Sequence, residues 1–94
     1  MIYAKILVKG NVQHVSYRNF VREIAKAMGV AGVVRHCYGD VEIEVEAKSE
    51  AELDEFVKLI MKKKDDRSDI DVKSAAVVSK VQSDNQKYIR FSVE

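Results

Sequence analysis

The sequence of 94 residues has no proline, a single cysteine (Cys37) and no clear excess of charge of either sign. One cysteine excludes an intrachain disulfide, so we expect a reducing, cytoplasmic compartment. Sixteen Lys and Arg against fifteen Asp and Glu leave a formal charge of +1. That balance excludes an overall positive electrostatic field that would attract nucleic acid or anionic membranes. Any preference for anions must therefore come from a local group of residues.

Long hydrophobic runs are also missing. The stretch from Met1 to Lys5 alternates and carries an early lysine, so we expect neither a signal peptide nor a membrane span. With 47% hydrophobic and 33% charged residues, and without repeats or low-complexity segments, the composition is typical of a folded domain. We therefore expect one domain over residues 1–94.

Hydrophobic periodicity predicts the order strand, helix, strand, strand, helix, strand. Strands are predicted at residues 2–9, 30–36, 41–47 and 70–81, with a short last strand at residues 88–93. One helix is predicted from Tyr17 to a C-cap at Gly29, and a second begins at the capping box of Ser49 and Glu52. The alternation of the fourth strand slips near Ala75 and Ala76, which indicates a bulge.

This order predicts an α+β, ferredoxin-like split β-α-β sandwich (βαββαβ), with an antiparallel sheet and two helices on one face. The other face carries Glu42, Glu44 and Glu46, and we expect it to lie open to water. The run Lys62-Lys63-Lys64-Asp65-Asp66 is predicted to be the solvated end of the second helix.

The junction between the first strand and the first helix reads Gly10-Asn11-Val12-Gln13-His14-Val15-Ser16-Tyr17-Arg18. The first turn of a helix offers backbone N–H groups without intrahelical partners, and the helix dipole adds partial positive charge there. Arg18 adds a planar fork of donors suited to phosphate or carboxylate oxygens. The stretch is therefore a candidate oxyanion cradle, although a plain connection with a solvated Arg18 explains the same pattern.

The junction closely resembles the acylphosphatase signature, in which a glycine precedes Val-Gln-Gly-Val, a variable residue, an aromatic and an arginine. The resemblance extends to Met28-Gly29-Val30, to Gly32-Val33-Val34-Arg35 and to the terminal Phe91-Ser92-Val93, and is weakest between Lys62 and Lys87. It implies hydrolysis of an acyl phosphate to carboxylate and phosphate without metal or organic cofactor. The expected partner is a small acyl phosphate or inorganic phosphate, and we expect a monomer that binds neither nucleic acid nor membrane.

The resemblance also implies roles for individual residues. Arg18 corresponds to the arginine that grips the phosphoryl group, together with the loop backbone; the predicted phosphate-binding residues are Gln13, His14, Val15, Ser16, Tyr17 and Arg18. His14 replaces the motif glycine, and His36 stands where the family has the asparagine that orients the attacking water. The hairpin turn looks one residue short, so Arg35 is an alternative for that position. His36 is the predicted second catalytic residue, and the alternative is a weak or inactive anion-binding or interaction module.

Three other interpretations compete with this one. His14, His36, Cys37 and Asp40 are metal-ligand types, but their spacing matches no ligand pattern, and we predict no metal. Cys37 or Ser16 as a nucleophile would need an adjacent base and an oxyanion hole. RNA binding on the open sheet face is disfavoured by its acidic row and by the absence of an aromatic motif.

Overall fold

The computed structural model describes residues 1–12, 15–62, 64–65, 70–82 and 86–94. These residues form two helices, α1 (Val15–Met28) and α2 (Glu50–Ile60). They also form six strands, which are β1 (Ile2–Asn11), β2 (Ala31–Cys37), β3 (Asp40–Ala47), β4 (Lys64–Asp65), β5 (Ile70–Gln82) and β6 (Phe91–Val93). The strands make one sheet in the order β4-β5-β1-β3-β2-β6.

The sheet has the predicted ferredoxin-like arrangement. Strand β1 lies between β3 and β5 and is antiparallel to both, and β2 is antiparallel to β3. At the outer edge β6 runs parallel to β2. Because β1 and β2 are both antiparallel to β3, they run in the same direction. Their C-terminal ends therefore lie at the same end of the sheet.

Apolar side chains on one side of the sheet form the core, and we call this side the helix-covered face. Strand β1 contributes alternate residues that are almost fully buried, which are Ile2, Ala4, Ile6 and Val8. Helix α1 packs through Tyr17, Val21 and Ala25, and α2 packs through Leu53, Phe56 and Ile60. These positions follow the helical and strand periods of the sequence, so local patterning is sufficient to place the core.

The predicted C-cap of α1 and N-cap of α2 are confirmed, whereas α1 begins at Val15, two residues before the predicted Tyr17. Helix α1 ends before Gly29, whose φ of 73° is a conformation that L-residues adopt at a cost. At the start of α2 the Ser49 hydroxyl accepts a hydrogen bond from the Glu52 N–H at 3.2 Å. The carboxylate of Glu52 reaches back to the N–H of Lys48, at 2.9 Å, rather than to that of Ser49.

Three predictions in the C-terminal half need correction. The register of β5 against β1 shifts at Val78 and at Lys73, whereas Ala75 and Ala76 pair regularly with Val8 and Leu7, so the predicted bulge is in the right strand but at the wrong place. Lys64 and Asp65 form the short strand β4 against β5 instead of a frayed helix end. The last strand is limited to residues 91–93, and Tyr88, the predicted first residue of that strand, instead donates hydrogen bonds to Glu46 and Glu44 on the sheet surface.

The second side of the sheet, bearing Tyr3, Lys5, Arg35, Glu42, Glu44 and Glu46, is called the polar face. The expectation that its glutamates face water is wrong for two of them, since Glu44 and Glu46 are only 9% and 3% exposed. Residues 86–94 run beside these carboxylates and supply hydrogen-bond donors to them. The alternation correctly separates the two faces but does not show that a distant segment covers the second one.

Close approach of β2 to β3 depends on Gly32. Its φ is 152°, and a Cβ atom built there would lie 1.9 Å from the carbonyl oxygen of Glu44. No other residue fits between the two strands at this point without moving a backbone.

Within the described ranges, neither helix is long and apolar enough to cross a lipid bilayer.

Candidate active site

The junction begins where β1 turns out of the sheet. Gly10 has a φ of 130°, and the register of β1 against β5 shifts between Lys9 and Gly10. This φ is readily adopted only by glycine, which explains the residue type at this position. Val12 is fully buried and fixes the chain just before α1, which begins at Val15.

The predicted phosphate-binding residues divide into two groups. Gln13 and His14, and the side chain of Val15, lie outside the described residues. The backbone of Val15, Ser16 and Tyr17 forms the first turn of α1, where N–H groups have no carbonyl partner within the helix. This turn contains no acidic side chain that would satisfy those groups or the helix dipole, so its positive end remains suited to an external anion.

The side chain of Tyr17 has a structural function. It is fully buried, and its hydroxyl donates a hydrogen bond of 3.1 Å to the carbonyl oxygen of Ile60 at the end of α2. Burial raises the pKa of this phenol, so it remains a neutral donor. Tyr17 therefore offers only its backbone to the junction, and its ring fixes the first turn of α1 against the core. Next to it, Arg18 is half-buried and Ser16 is exposed.

The strand register decides which side of the sheet His36 occupies. His36 lies opposite Val41 in β3, and Val41 lies opposite Val8 in β1. Directly opposed residues point to the same side of a sheet, so His36 projects from the helix-covered face, about 10 Å and two strands away from Val8. Its side chain is exposed because it lies at the open end of that face. His36 and the start of α1 thus belong to the same end and the same side of the sheet.

Arg35 points the other way and is bound on the polar face. Its guanidinium donates to Glu94 at 3.0 Å, to Glu42 at 2.8 Å and to Glu44 at 3.2 Å. The hydrogen bond to Glu94, followed by those to Glu42 and Glu44, raises the pKa of Arg35 against the opposing effect of its burial. The alternative of Arg35 as the water-positioning residue is therefore not supported by its placement.

A polar network centred on Glu44 was not predicted from the sequence. The Glu44 carboxylate accepts hydrogen bonds from the hydroxyls of Tyr3 at 2.5 Å and Tyr88 at 2.6 Å, in addition to the one from Arg35. Burial favours the neutral acid, but the three donors outweigh it and lower the pKa of Glu44 to about 2. Burial and the bond to Glu44 raise the pKa of both tyrosines. All these groups are satisfied by one another, which indicates a structural role.

A groove between α1 and β6 was also not predicted from the sequence. It has a volume of about 490 Å³ and is lined by Arg22, Lys26, Arg90, Phe91, Ser92 and Val93, and we call it the basic groove. The spacing of Arg18, Arg22 and Lys26 at intervals of four residues is a visible signal in the sequence, since such residues share one side of a helix. The contribution of Arg90 depends on the fold and has no local signal.

Other candidate sites have no assembled geometry in the described part of the chain. No three His, Cys, Asp or Glu side chains there converge on a point that could hold a metal ion, and His14 lies outside it. Cys37 is a half-buried free thiol at the hairpin end.

Comparison with known proteins decides the family. The family model described as Acylphosphatase matches residues 4–93. The chain belongs to the acylphosphatase family. A crystal structure of acylphosphatase from Bacillus subtilis superposes with a TM-score of 0.86 at 30% sequence identity, covering 100% of this chain and 99% of that one.

Two further solved structures are similar to this chain. The acylphosphatase from Coxiella burnetii has a TM-score of 0.76 at 20% identity, and the match covers 98% of this chain and 90% of the Coxiella chain. HypF from T. kodakarensis has a TM-score of 0.78 at 25% identity, and the match covers 100% of this chain but 12% of that longer one. A search of curated protein sequences gave no match. The resemblance inferred from the junction motif is thus confirmed for the family and the fold.

Proposed function

We propose that this protein hydrolyses an acyl phosphate to a carboxylate and inorganic phosphate at the junction of β1 and α1. The observation that carries the proposal is the first turn of α1. It has no acidic side chain, is fixed to the core by Tyr17, and bears Arg18 at the end of the sheet where His36 projects. Membership of the family supports the reaction type.

In the proposed reaction the backbone N–H groups of Val15, Ser16 and Tyr17 and the Arg18 guanidinium hold the phosphoryl oxygens. A water molecule attacks phosphorus in line with the bond to the acyl oxygen. That bond breaks and the carboxylate leaves with the bonding electrons, while the proton of the water passes to phosphate or solvent. Fixed donors stabilise the charge on the equatorial oxygens without having to reorganise, which is the main source of catalysis in phosphoryl transfer.

His36 is proposed to position the attacking water. A neutral imidazole has one donor and one acceptor, so it can hold a water molecule as an amide side chain does. Its placement two strands from β1, on the side from which α1 begins, supports this role. Holding the water in line reduces the entropic cost of the attack.

The test is hydrolysis of benzoyl phosphate by the wild type and four variants. We expect Arg18→Ala to lower kcat/KM by at least about 100-fold, the usual effect of losing one donor to a developing charge. His36→Ala is expected to lower kcat by about tenfold or more. His36→Asn should keep kcat at or above the wild-type value, since the amide supplies the donor and acceptor that the family uses. Lys58→Ala, a change at an exposed residue of α2, is the control with wild-type activity.

Two results would overturn the proposal. One is a wild type that does not hydrolyse benzoyl phosphate, and the other is an Arg18→Ala variant as active as the wild type. Binding of inorganic phosphate that requires Arg18, without hydrolysis, would instead establish the protein as an anion-binding module.

A further inference from the structure

The basic groove lies beside the proposed reaction site and has a mixed surface. Its floor is formed by the β6 residues Phe91, which is buried, and Val93, which is half-buried. Arg22 and Lys26 of α1 form one wall, and Arg90, just before β6, stands at the other. A volume of about 490 Å³ is sufficient for a small organic molecule.

Two of the three cations of this groove have no ion-pair partner within the described residues. Lys26 and Arg90 are exposed and form no ion pair with any residue described. The Nε atom of Arg22 is buried, and no acceptor in the described ranges lies within hydrogen-bonding distance of it. The other end of Arg22 is 3.7 Å from the exposed carboxylate of Glu23. Three cations thus surround one groove in a chain whose formal charge is only +1.

Two elements, α1 and the sheet, connect the groove to the proposed phosphate site. Arg18, Arg22 and Lys26 are four residues apart, so they form a row on α1 with a rise of about 6 Å from each to the next. Along the sheet, Val93 in β6 pairs with Val34 in β2, two residues before His36. The near end of the groove is therefore about one helical turn from Arg18.

We propose that the basic groove binds the acyl portion of the substrate and selects acyl phosphates that carry a second negative charge. This inference rests on the proposed function, because it takes Arg18 as the site of the phosphoryl group. An acyl chain of about four carbon atoms with a terminal carboxylate spans the distance of about 6 Å from Arg18 to Arg22. The carboxylate then lies among Arg22, Lys26 and Arg90, while the methylene groups contact Val93 and Phe91.

The test measures binding of two phosphonates that cannot be hydrolysed, 4-phosphonobutyrate and butylphosphonate, by isothermal titration calorimetry. They have the same number of carbon atoms, but only the first carries a carboxylate. We expect 4-phosphonobutyrate to bind about tenfold more tightly at low ionic strength, with the difference decreasing as salt is added. In the triple variant Arg22→Gln, Lys26→Gln, Arg90→Gln the ratio of the two affinities should fall to about one.

A triple variant with the same loss of charge is the control. This control removes three exposed cations around α2, outside the groove, by the changes Lys48→Gln, Lys58→Gln and Lys62→Gln. It should keep the tenfold ratio of the two phosphonate affinities. Equal affinities of the two phosphonates in the wild type would overturn the inference, as would a ratio that decreases equally in both triple variants.

Arg18→Ala separates this inference from the proposed function. If both phosphonates lose affinity in Arg18→Ala but bind equally to the wild type, the phosphate site stands and only the selective groove is rejected. If neither phosphonate binds to the wild type, or if Arg18→Ala binds both unchanged, the phosphate site itself is rejected and the groove proposal falls with it.

Discussion

The two faces of one sheet are stabilised in different ways. On the helix-covered face, apolar side chains from β1, β3, α1 and α2 are removed from water together, and no single contact dominates. On the polar face, two carboxylates, Glu44 and Glu46, accept three hydrogen bonds from Lys87 and Tyr88. The comparison shows that a strand whose apolar and polar residues alternate can be covered on both sides. Helices pack on the apolar side, and a hydrogen-bonded segment covers the polar side.

Neighbouring residues of β2 show the same division at the level of single side chains. Arg35 is held by three carboxylates on the polar face, whereas His36 projects from the helix-covered face at its open end. Stabilisation of the fold and the proposed chemistry therefore use opposite sides of one strand. The following variants test this difference, in order of decreasing expected effect.

Gly32→Ala is expected to disrupt both faces at once. The new methyl group would lie 1.9 Å from the Glu44 carbonyl oxygen at a φ of 152°, so β2 and β3 would have to separate. We expect a loss of at least about 4 kcal/mol in the free energy of unfolding, measured by urea denaturation, because steric conflict with backbone belongs to the most severe class of substitutions.

Gly29→Ala is the matched control for Gly32→Ala. Gly29 also has a positive φ, of 73°, but a Cβ atom there would meet nothing within 4 Å. The left-handed conformation alone costs about 1–2 kcal/mol. Equal losses in the two variants would show that the close approach of β2 to β3 does not matter.

Phe56→Ala tests the helix-covered face alone. Phe56 is fully buried and its ring lies 6.2 Å from that of Phe91. Its truncation is expected to cost about 3–4 kcal/mol in the free energy of unfolding, the usual range for a buried aromatic residue. Ile89→Ala, at a side chain that is 95% exposed, should change stability by less than about 0.5 kcal/mol. Similar values for the two variants would contradict the assignment of the core.

Glu44→Gln tests the polar face and is expected to cost about 2 kcal/mol at neutral pH. The amide keeps the shape of the carboxylate but loses its charge and places a donor among three donors, those of Tyr3, Tyr88 and Arg35. The effect should be smaller than that of Phe56→Ala. A neutral or stabilising result would show that the network contributes no stability.

The pH dependence of stability in the wild type and in Glu44→Gln tests whether ionised Glu44 stabilises the fold. The pKa of Glu44 is lowered to about 2 in the folded protein, so its stabilisation is complete above the ordinary value of about 4.5 and is lost as the pH falls towards 2. The difference in unfolding free energy between wild type and Glu44→Gln should therefore narrow between pH 5 and pH 2. A constant difference over that range would exclude ionised Glu44 as the source.

Tyr88→Phe should have the smallest effect of the series. It removes one hydroxyl donor to Glu44 but keeps the ring, which stacks with Tyr3 at a centroid distance of 6.5 Å. We expect a loss of about 1 kcal/mol in the free energy of unfolding. Tyr38→Phe, at a fully exposed side chain, is the control and should be neutral. A larger loss than in Glu44→Gln would place the centre of the network at Tyr88.

Features set by neighbouring residues could be predicted from the sequence, and features set by distant pairs could not. The strand and helix periods, the cap at Gly29 and the capping interactions of Ser49 depend on residues within a few positions of one another. Burial of Glu44 depends on Tyr88, which is 44 residues away along the chain. The bulges at Val78 and Lys73 depend in the same way on how β5 pairs with β1.

The candidate site shows the same limit. A helix start near Arg18 could be predicted from the local sequence, although α1 begins at Val15 rather than at Tyr17. The faces occupied by His36 and Arg35 required the register of β2 against β3, because one residue of slip moves a side chain to the other face. The basic groove required β6 to lie beside β2, which brings Arg90 near a helix more than 60 residues earlier in the chain.

The hydrogen bond from Tyr17 to the last carbonyl group of α2 ties the start of α1 to the end of the other helix. A fluctuation that unwinds the first turn of α1 must bring a buried aromatic ring into water and release the end of the other helix. Amide hydrogens at the two helix ends are therefore expected to exchange with solvent through one shared opening event. The backbone that carries Arg18 is therefore expected to open together with the end of α2 and not by itself.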